Sequence, residues 1–164
     1  MNSRRCQPIK HLPRAGRRVR GVAAVELGFT IVPLLILTFG VTEYGRAIFT
    51  YNALDKATRD AARHMTSPSV GRRAEAINLA VYGSLAPTAT PLAPGLVPAD
   101  VVVCDAADSS GCPGEQHANV PIPGGGVADL VTVRISGYTY TSIVTYVAPA
   151  TLNFNNISTT MRSE

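Results

Sequence analysis

The chain has 164 residues, 46% of them hydrophobic and 16% charged, with a formal charge of +4. That length allows one modest domain with appendages, whose small core would gain from a covalent staple. The positive charge does not imply a nucleic-acid partner, because it is concentrated at one end. Seven of the fifteen Lys/Arg precede residue 21 (Arg4, Arg5, Lys10, Arg14, Arg17, Arg18 and Arg20), with no acidic residue among them. From Val22 onward eight basic residues face eleven acidic ones, a balance of −3 with His neutral. The basic block reads as the cytoplasmic flank of a membrane segment.

In chain order, residues 1–21 are Arg-rich, contain Pro8, Pro13 and Gly16, and have no helical apolar period; they read as a disordered leader. Residues 22–41, VAAVELGFTIVPLLILTFGV, include twelve Val, Leu, Ile or Phe. At 1.5 Å per residue they cover about 30 Å, one hydrocarbon thickness, and their apolar content outweighs the single carboxylate near one end. Beyond them Tyr44, Ile48, Tyr51, Leu54, Thr58, Ala61 and Met65 recur in steps of three and four, flanked by Ala47 and Ala62. Arg46, Lys56, Arg59, Asp60 and Arg63 mostly take the other side. Ser67-Pro68 is a stop signal. The pattern predicts one helix over 22–65, on the order of 65 Å long, crossing a membrane over 22–41. Pro33 should kink it, because proline removes an internal hydrogen bond.

Residues 66–164 read as an exported head. Arg72–Leu85 is a candidate second helix, and 86–98 (APTATPLAPGLVP) a Pro-rich extended linker. Strands are expected at 101–104, 130–136, 138–147 and 157–162, with turns at Gly111/Pro113/Gly114 and Gly124–Gly126. The fold class is therefore α+β, a long N-terminal transmembrane helix followed by a small antiparallel β-sheet head. Cys104 and Cys112 bound the loop CDAADSSGC and should form a disulfide if the head is exported; Cys6 lies in the leader.

No catalytic or metal-ligating set stands out. His11, His64 and His117 are scattered, and Cys104, Cys112 and His117 lack a fourth zinc ligand at helpful spacing. Asp108, Ser109, Ser110 and His117 supply triad residue types without a triad's geometry. Gly124-Gly125-Gly126 has no following Lys-Ser/Thr and is no phosphate loop. Glu43 and Arg46 read as a helix-surface ion pair beside an interfacial Tyr44. The chain is read as a non-enzyme with no cofactor and no metal.

The most informative stretch is Arg17-Arg18-Val19-Arg20-Gly21-Val22-Ala23-Ala24-Val25-Glu26. A basic run ends in glycine, an apolar segment begins at once, and one glutamate stands five residues in. A protease working at the membrane surface needs an unhindered, extended scissile bond, which glycine permits. Glu26 either snorkels to the interface or faces a partner in the membrane.

With Glu43-Tyr44-Gly45-Arg46, Tyr51-Asn52-Ala53-Leu54, Ala57 to Arg63 (ATRDAAR) and the later VADLVTVRISGYTYT, this segment resembles the TadE-like family of tight-adherence pilus assembly proteins. The resemblance is dense over residues 20–64. It implies a type IV pilin-like fold and cleavage by a prepilin peptidase between Gly21 and Val22. It also implies that Glu26 neutralises a neighbouring subunit's terminal amine. The implied partners are other pilins, the assembly platform of the bacterial inner membrane, and lipid. The implied role is that of a minor pilin or pseudopilin in pilus biogenesis and surface adherence, with the head periplasmic or extracellular. Leu27 departs from the aromatic residue that often follows the glutamate. The alternative is a signal-anchored exported protein with a small binding head. A cleavable secretory signal fits less well, since the apolar run is long and FGVTEYG lacks an A-x-A site.

Overall fold

The computed structural model describes residues 19–67, 72–87 and 90–163. It contains one long apolar helix followed by a small antiparallel head, an α+β arrangement. The chain divides into two compact units, Met1–Phe39 and Gly40–Glu164.

In the first unit the described residues are all helix. Helix α1 spans Val19–Met65 and continues through Pro33 without a break. It starts three residues before Val22, so Val19–Gly21, expected as the end of a disordered leader, form its first turn. The first four N–H groups of any helix lack an intrahelical partner, so such an extension strands no new donor. The rest of the leader lies outside the described residues. Leu27, Phe29, Leu34 and Leu37 are all more than half exposed, and the helix is long and apolar enough to cross a membrane.

In the second unit the C-terminal half of α1 buries Glu43, Ala47, Leu54, Ala57, Thr58, Ala61 and Ala62. This face corrects the expected one near its start. Tyr44 and Ile48 point outward, Tyr51 is only edge-packed on Phe154 at 5.6 Å, and the seam passes through Glu43 instead. With Glu43 and Ala47 buried in place of Tyr44 and Ile48, the seam is turned by one residue, about 100°. Farther along, Leu54, Thr58 and Ala61 lie on the buried face.

Helix α2 spans Arg72–Tyr82 and buries Ala76, Ala80 and Val81. It stops short of Leu85 because Gly83, at φ 70°, turns the chain while its N–H still reaches Leu79 O at 3.0 Å. The Pro-rich segment beyond is no spacer. Leu92 N–H bonds Val81 O at 2.8 Å, Ala93 and Leu96 are buried, and Pro98–Asp100 closes a single 3₁₀ turn. The segment bends instead of extending: Leu96 N–H turns back to Ala93 O at 3.2 Å around Gly95, at φ 83°, and Ala93 and Leu96 join the core.

Six strands follow: β1 Val101–Cys104, β2 Val120–Pro121, β3 Val127–Ile135, β4 Thr139–Thr141, β5 Thr151–Asn153 and β6 Ile157–Ser163. Strand β3 is the centre of a four-stranded sheet, paired antiparallel to β1 and β2 along one edge and to β6 along the other. Strands β4 and β5 form a separate hairpin. The strand expected over 138–147 shrinks to three residues: Ser142 N–H still reaches Ala150 O at 3.0 Å, but from Ile143 on the backbone bonds to the Glu43 side chain and to a turn instead of a ladder. The core joins Leu54, Ala61, Ala62, Val133, Ile135, Tyr138, Tyr140 and Ile157. Thr58 Oγ1 lies 3.1 Å from Thr159 Oγ1, fixing α1 against β6.

Candidate processing and assembly segment

Gly21, Val22, Glu26 and Pro33 all lie on the N-terminal half of α1. Gly21 has open space around it, and a side chain there would meet nothing within 4 Å. Val22 is 61% exposed. Glu26 is exposed, and among the described residues no cation pairs with its carboxylate. Seven residues, two helical turns, separate Glu26 from Pro33, so both lie along one side of α1. Pro33 has no N–H for the Phe29 carbonyl. Around it Thr30 Oγ1 donates to Leu27 O at 3.0 Å and Glu26 O at 3.2 Å, and Thr38 Oγ1 to Leu34 O at 2.8 Å. These hydroxyls satisfy themselves within the helix, as they would have to wherever no water reaches an apolar helix.

Cys104 and Cys112 are joined by a disulfide, with Cα atoms 6.3 Å apart and both residues buried. The loop they close is tied to α2. Arg73 pairs with Asp105 at 3.2 Å and more closely with Asp108, whose own Oδ1 accepts from Ser110 Oγ at 2.7 Å. The Ser110 hydroxyl, and after it the Arg73 guanidinium, hold the Asp108 carboxyl well below the usual carboxylate range. Buried His117 lies close to both sulfurs, but these are bonded to each other rather than free as thiolates. Its Nε2 is 3.0 Å from Thr132 Oγ1, which in turn lies 2.8 Å from Thr160 Oγ1.

The C-terminal half of α1 carries a cluster in which the expected Glu43–Arg46 pair is present but its carboxylate is buried. Glu43 is 3% exposed, not a surface partner of Arg46. Its Oε1 accepts the Tyr140 hydroxyl at 2.7 Å and the Ile143 N–H at 3.2 Å. Both of its carboxylate oxygens lie 3.3 Å from Arg46 Nη1. The Arg46 guanidinium also lies 5.7 Å from the Tyr140 ring centre, and that ring stacks on Phe154 at 6.0 Å. Burial, and then the bond to Glu43, pushes the Tyr140 phenol above its ordinary value. A buried carboxylate is tolerable only with such a set of donors.

Residues 21–63 match the model of the TadE-like protein family. No curated protein and no solved structure matches the chain. The TadE-like match begins at Gly21 and takes in Val22, Glu26, Pro33, Glu43 and Arg46, and it points to tight-adherence pilus assembly, a structural role. Cys104, Cys112, Tyr140 and Ile143 lie beyond the matched residues. One sequence signal could have exposed the Glu43 cluster. Glu43 sits in register with Ala47, Leu54 and Thr58, and the only Tyr-x-Tyr of the chain supplies its donor.

Proposed function

We propose that this chain is a minor pilin, or pseudopilin, of a bacterial tight-adherence (type IVb) pilus assembly or secretion system that supports surface adherence. Residues 22–41 anchor it in the inner membrane, with the basic leader cytoplasmic and the head on the opposite side. A prepilin peptidase cuts between Gly21 and Val22. Glu26 then pairs with the α-amine of a neighbouring pilin, and Pro33 bends the segment that packs among other pilins on the assembly platform. The observation that carries this reading is the start of the family match at Gly21, where the basic leader gives way to the apolar run.

The helical first turn adds a step to processing. Val19–Gly21 must unwind before a peptidase can reach the bond after Gly21. Glycine in a helix lowers that cost by about 1 kcal/mol relative to alanine. The test is the intact mass of the protein purified from its native host. Loss of the twenty-one leader residues is expected. Full-length protein persisting in cells that contain the peptidase overturns the pilin reading.

A further inference from the structure

The loop between β4 and β5 is fastened to α1 where the apolar run ends. Ile143 N–H donates to Glu43 Oε1 at 3.2 Å. A methyl group added at Gly40 would stand 3.1 Å from Val147 Cγ1, so loop and helix approach at a distance that suits glycine. Between these two tethers the N–H groups of Val147 and Ala148 both return to Val144 O at 3.2 Å, closing a turn. Ala148 beneath it is buried.

The loop nevertheless holds two large side chains away from the protein, Ile143 just before the turn and Tyr146 within it. Ile143 is 73% exposed and Tyr146 is 99% exposed. A single exposed apolar residue is ordinary. Here, however, two sit on a loop held by hydrogen bonds, beside Gly40, one residue from the end of a membrane-length apolar run. The surrounding sequence is also unusual. From Ile135 through Met161 there is no Asp, Glu, Lys, Arg or His. Tyrosine favours the membrane–water boundary because its ring is apolar and its hydroxyl is not.

We propose that the Ser142–Ala150 loop is a second membrane contact, seated in the interfacial layer of the bilayer that residues 22–41 cross. Ile143 enters the acyl boundary and the Tyr146 ring lies at head-group level. With no charge on the loop, seating depends on apolar burial and not on attraction to anionic lipid. This inference rests on the anchor reading above.

The chain contains no tryptophan, so single-Trp variants report one place each. The full-length chain is reconstituted in phosphatidylcholine nanodiscs containing brominated lipid. Phe39→Trp probes the anchor, Tyr146→Trp the loop, and Val127→Trp a half-exposed site at the start of β3. Roughly twofold or greater quenching is expected for Phe39→Trp and Tyr146→Trp, strongest for the latter with bromines near the head groups. Val127→Trp should stay bright, and adding phosphatidylglycerol should not alter the Tyr146→Trp result. Quenched Phe39→Trp beside unquenched Tyr146→Trp overturns the loop contact and leaves the anchor standing. That includes a blue-shifted emission caused by a second copy covering the loop. Tyr146→Trp quenching that appears only with anionic lipid overturns the apolar mode of seating. If Phe39→Trp also escapes quenching, the anchor reading fails and the loop contact with it.

Discussion

The Glu43 carboxylate accepts the Tyr140 hydroxyl at 2.7 Å, joining α1 to β4 across 97 residues of chain. The same oxygen takes the Ile143 N–H, so one side chain fixes both the hairpin and the loop that leaves it. Tyr140→Phe keeps the ring stacked on Phe154 and removes only the hydroxyl. It should lower the melting temperature of the head by on the order of 5 °C, read by near-ultraviolet circular dichroism. Glu43→Ala should cost more, since it strands two donors and leaves a void. Arg46→Ala should cost least, because that side chain is 42% exposed. A reversed order would show that Glu43 does not organise this part of the core.

Processing should depend on the residue at position 21. Gly21→Arg should block cleavage and leave the leader attached, as seen by intact mass. Gly21→Ala should slow cleavage, because alanine strengthens the helical turn that has to open. Equal rates for glycine and alanine would mean that this turn is already open when the peptidase acts.

Glu26 separates a subunit that assembles from one that is merely anchored. A lone carboxylate in hydrocarbon is costly unless a cation arrives, and opposite charges attract strongly at low dielectric. Glu26→Ala should insert and be cleaved normally yet lose pilus assembly and co-purification with other pilins. Glu26→Asp, one methylene shorter, should be intermediate. Normal pili from Glu26→Ala cells would leave Glu26 as a residue that only snorkels to the interface.

The Cys104–Cys112 bond closes a short loop and should contribute roughly 2–3 kcal/mol by the chain-entropy relation. Trypsin is a poor probe, because no Lys or Arg lies between Arg73 and Arg134 and both cysteines stay in one peptide. Cleavage before Asp105 or Asp108 falls inside the loop. It should give two peptides that separate only on reduction. Two freely alkylatable thiols in protein taken from the envelope without reductant would contradict the bond.

Acid should loosen the same loop. The Asp108 carboxyl is held low in the folded protein, so its contribution is complete above the unfolded value of about 4 and is lost as pH falls toward the folded one. Stability measured between pH 5 and pH 2 should therefore fall less steeply for Asp108→Asn than for the parent chain. Parallel curves would mean that neither the Ser110 contact nor the Arg73 pairing persists in solution.

The sequence made α1 legible because a twenty-residue apolar run and a helical period leave few alternatives. The central strand was legible for a similar reason, its β-branched residues being buried on both faces at Val131, Thr132 and Val133. Three features were hidden. Strand β2 is two residues long, and β5 is a three-residue partner of β4 whose identity depends on where the intervening loop is tethered. The buried state of Glu43 depends on Tyr140 and Ile143, which only the tertiary fold brings to it. Local pattern sees a charge and places it in water. Within the candidate site Gly21 and Glu26 stand out by composition, whereas the Glu43 cluster exists only once β4 and the loop after it fold onto α1.

The pairing of α1 with β6 has a consequence in time. Thr58 meets Thr159 across 101 residues, and β6 closes the free edge of the central strand. If the chain crosses the membrane helix first, the Ala47–Ala62 face of α1 emerges long before the strand that covers it. The head cannot close until Ile157–Ser163 has followed. Over that interval an apolar helix face and an unpaired strand edge stand open together, so the emerging chain needs either rapid export or a protein that shields it. A strand made late decides whether a helix made early stays buried.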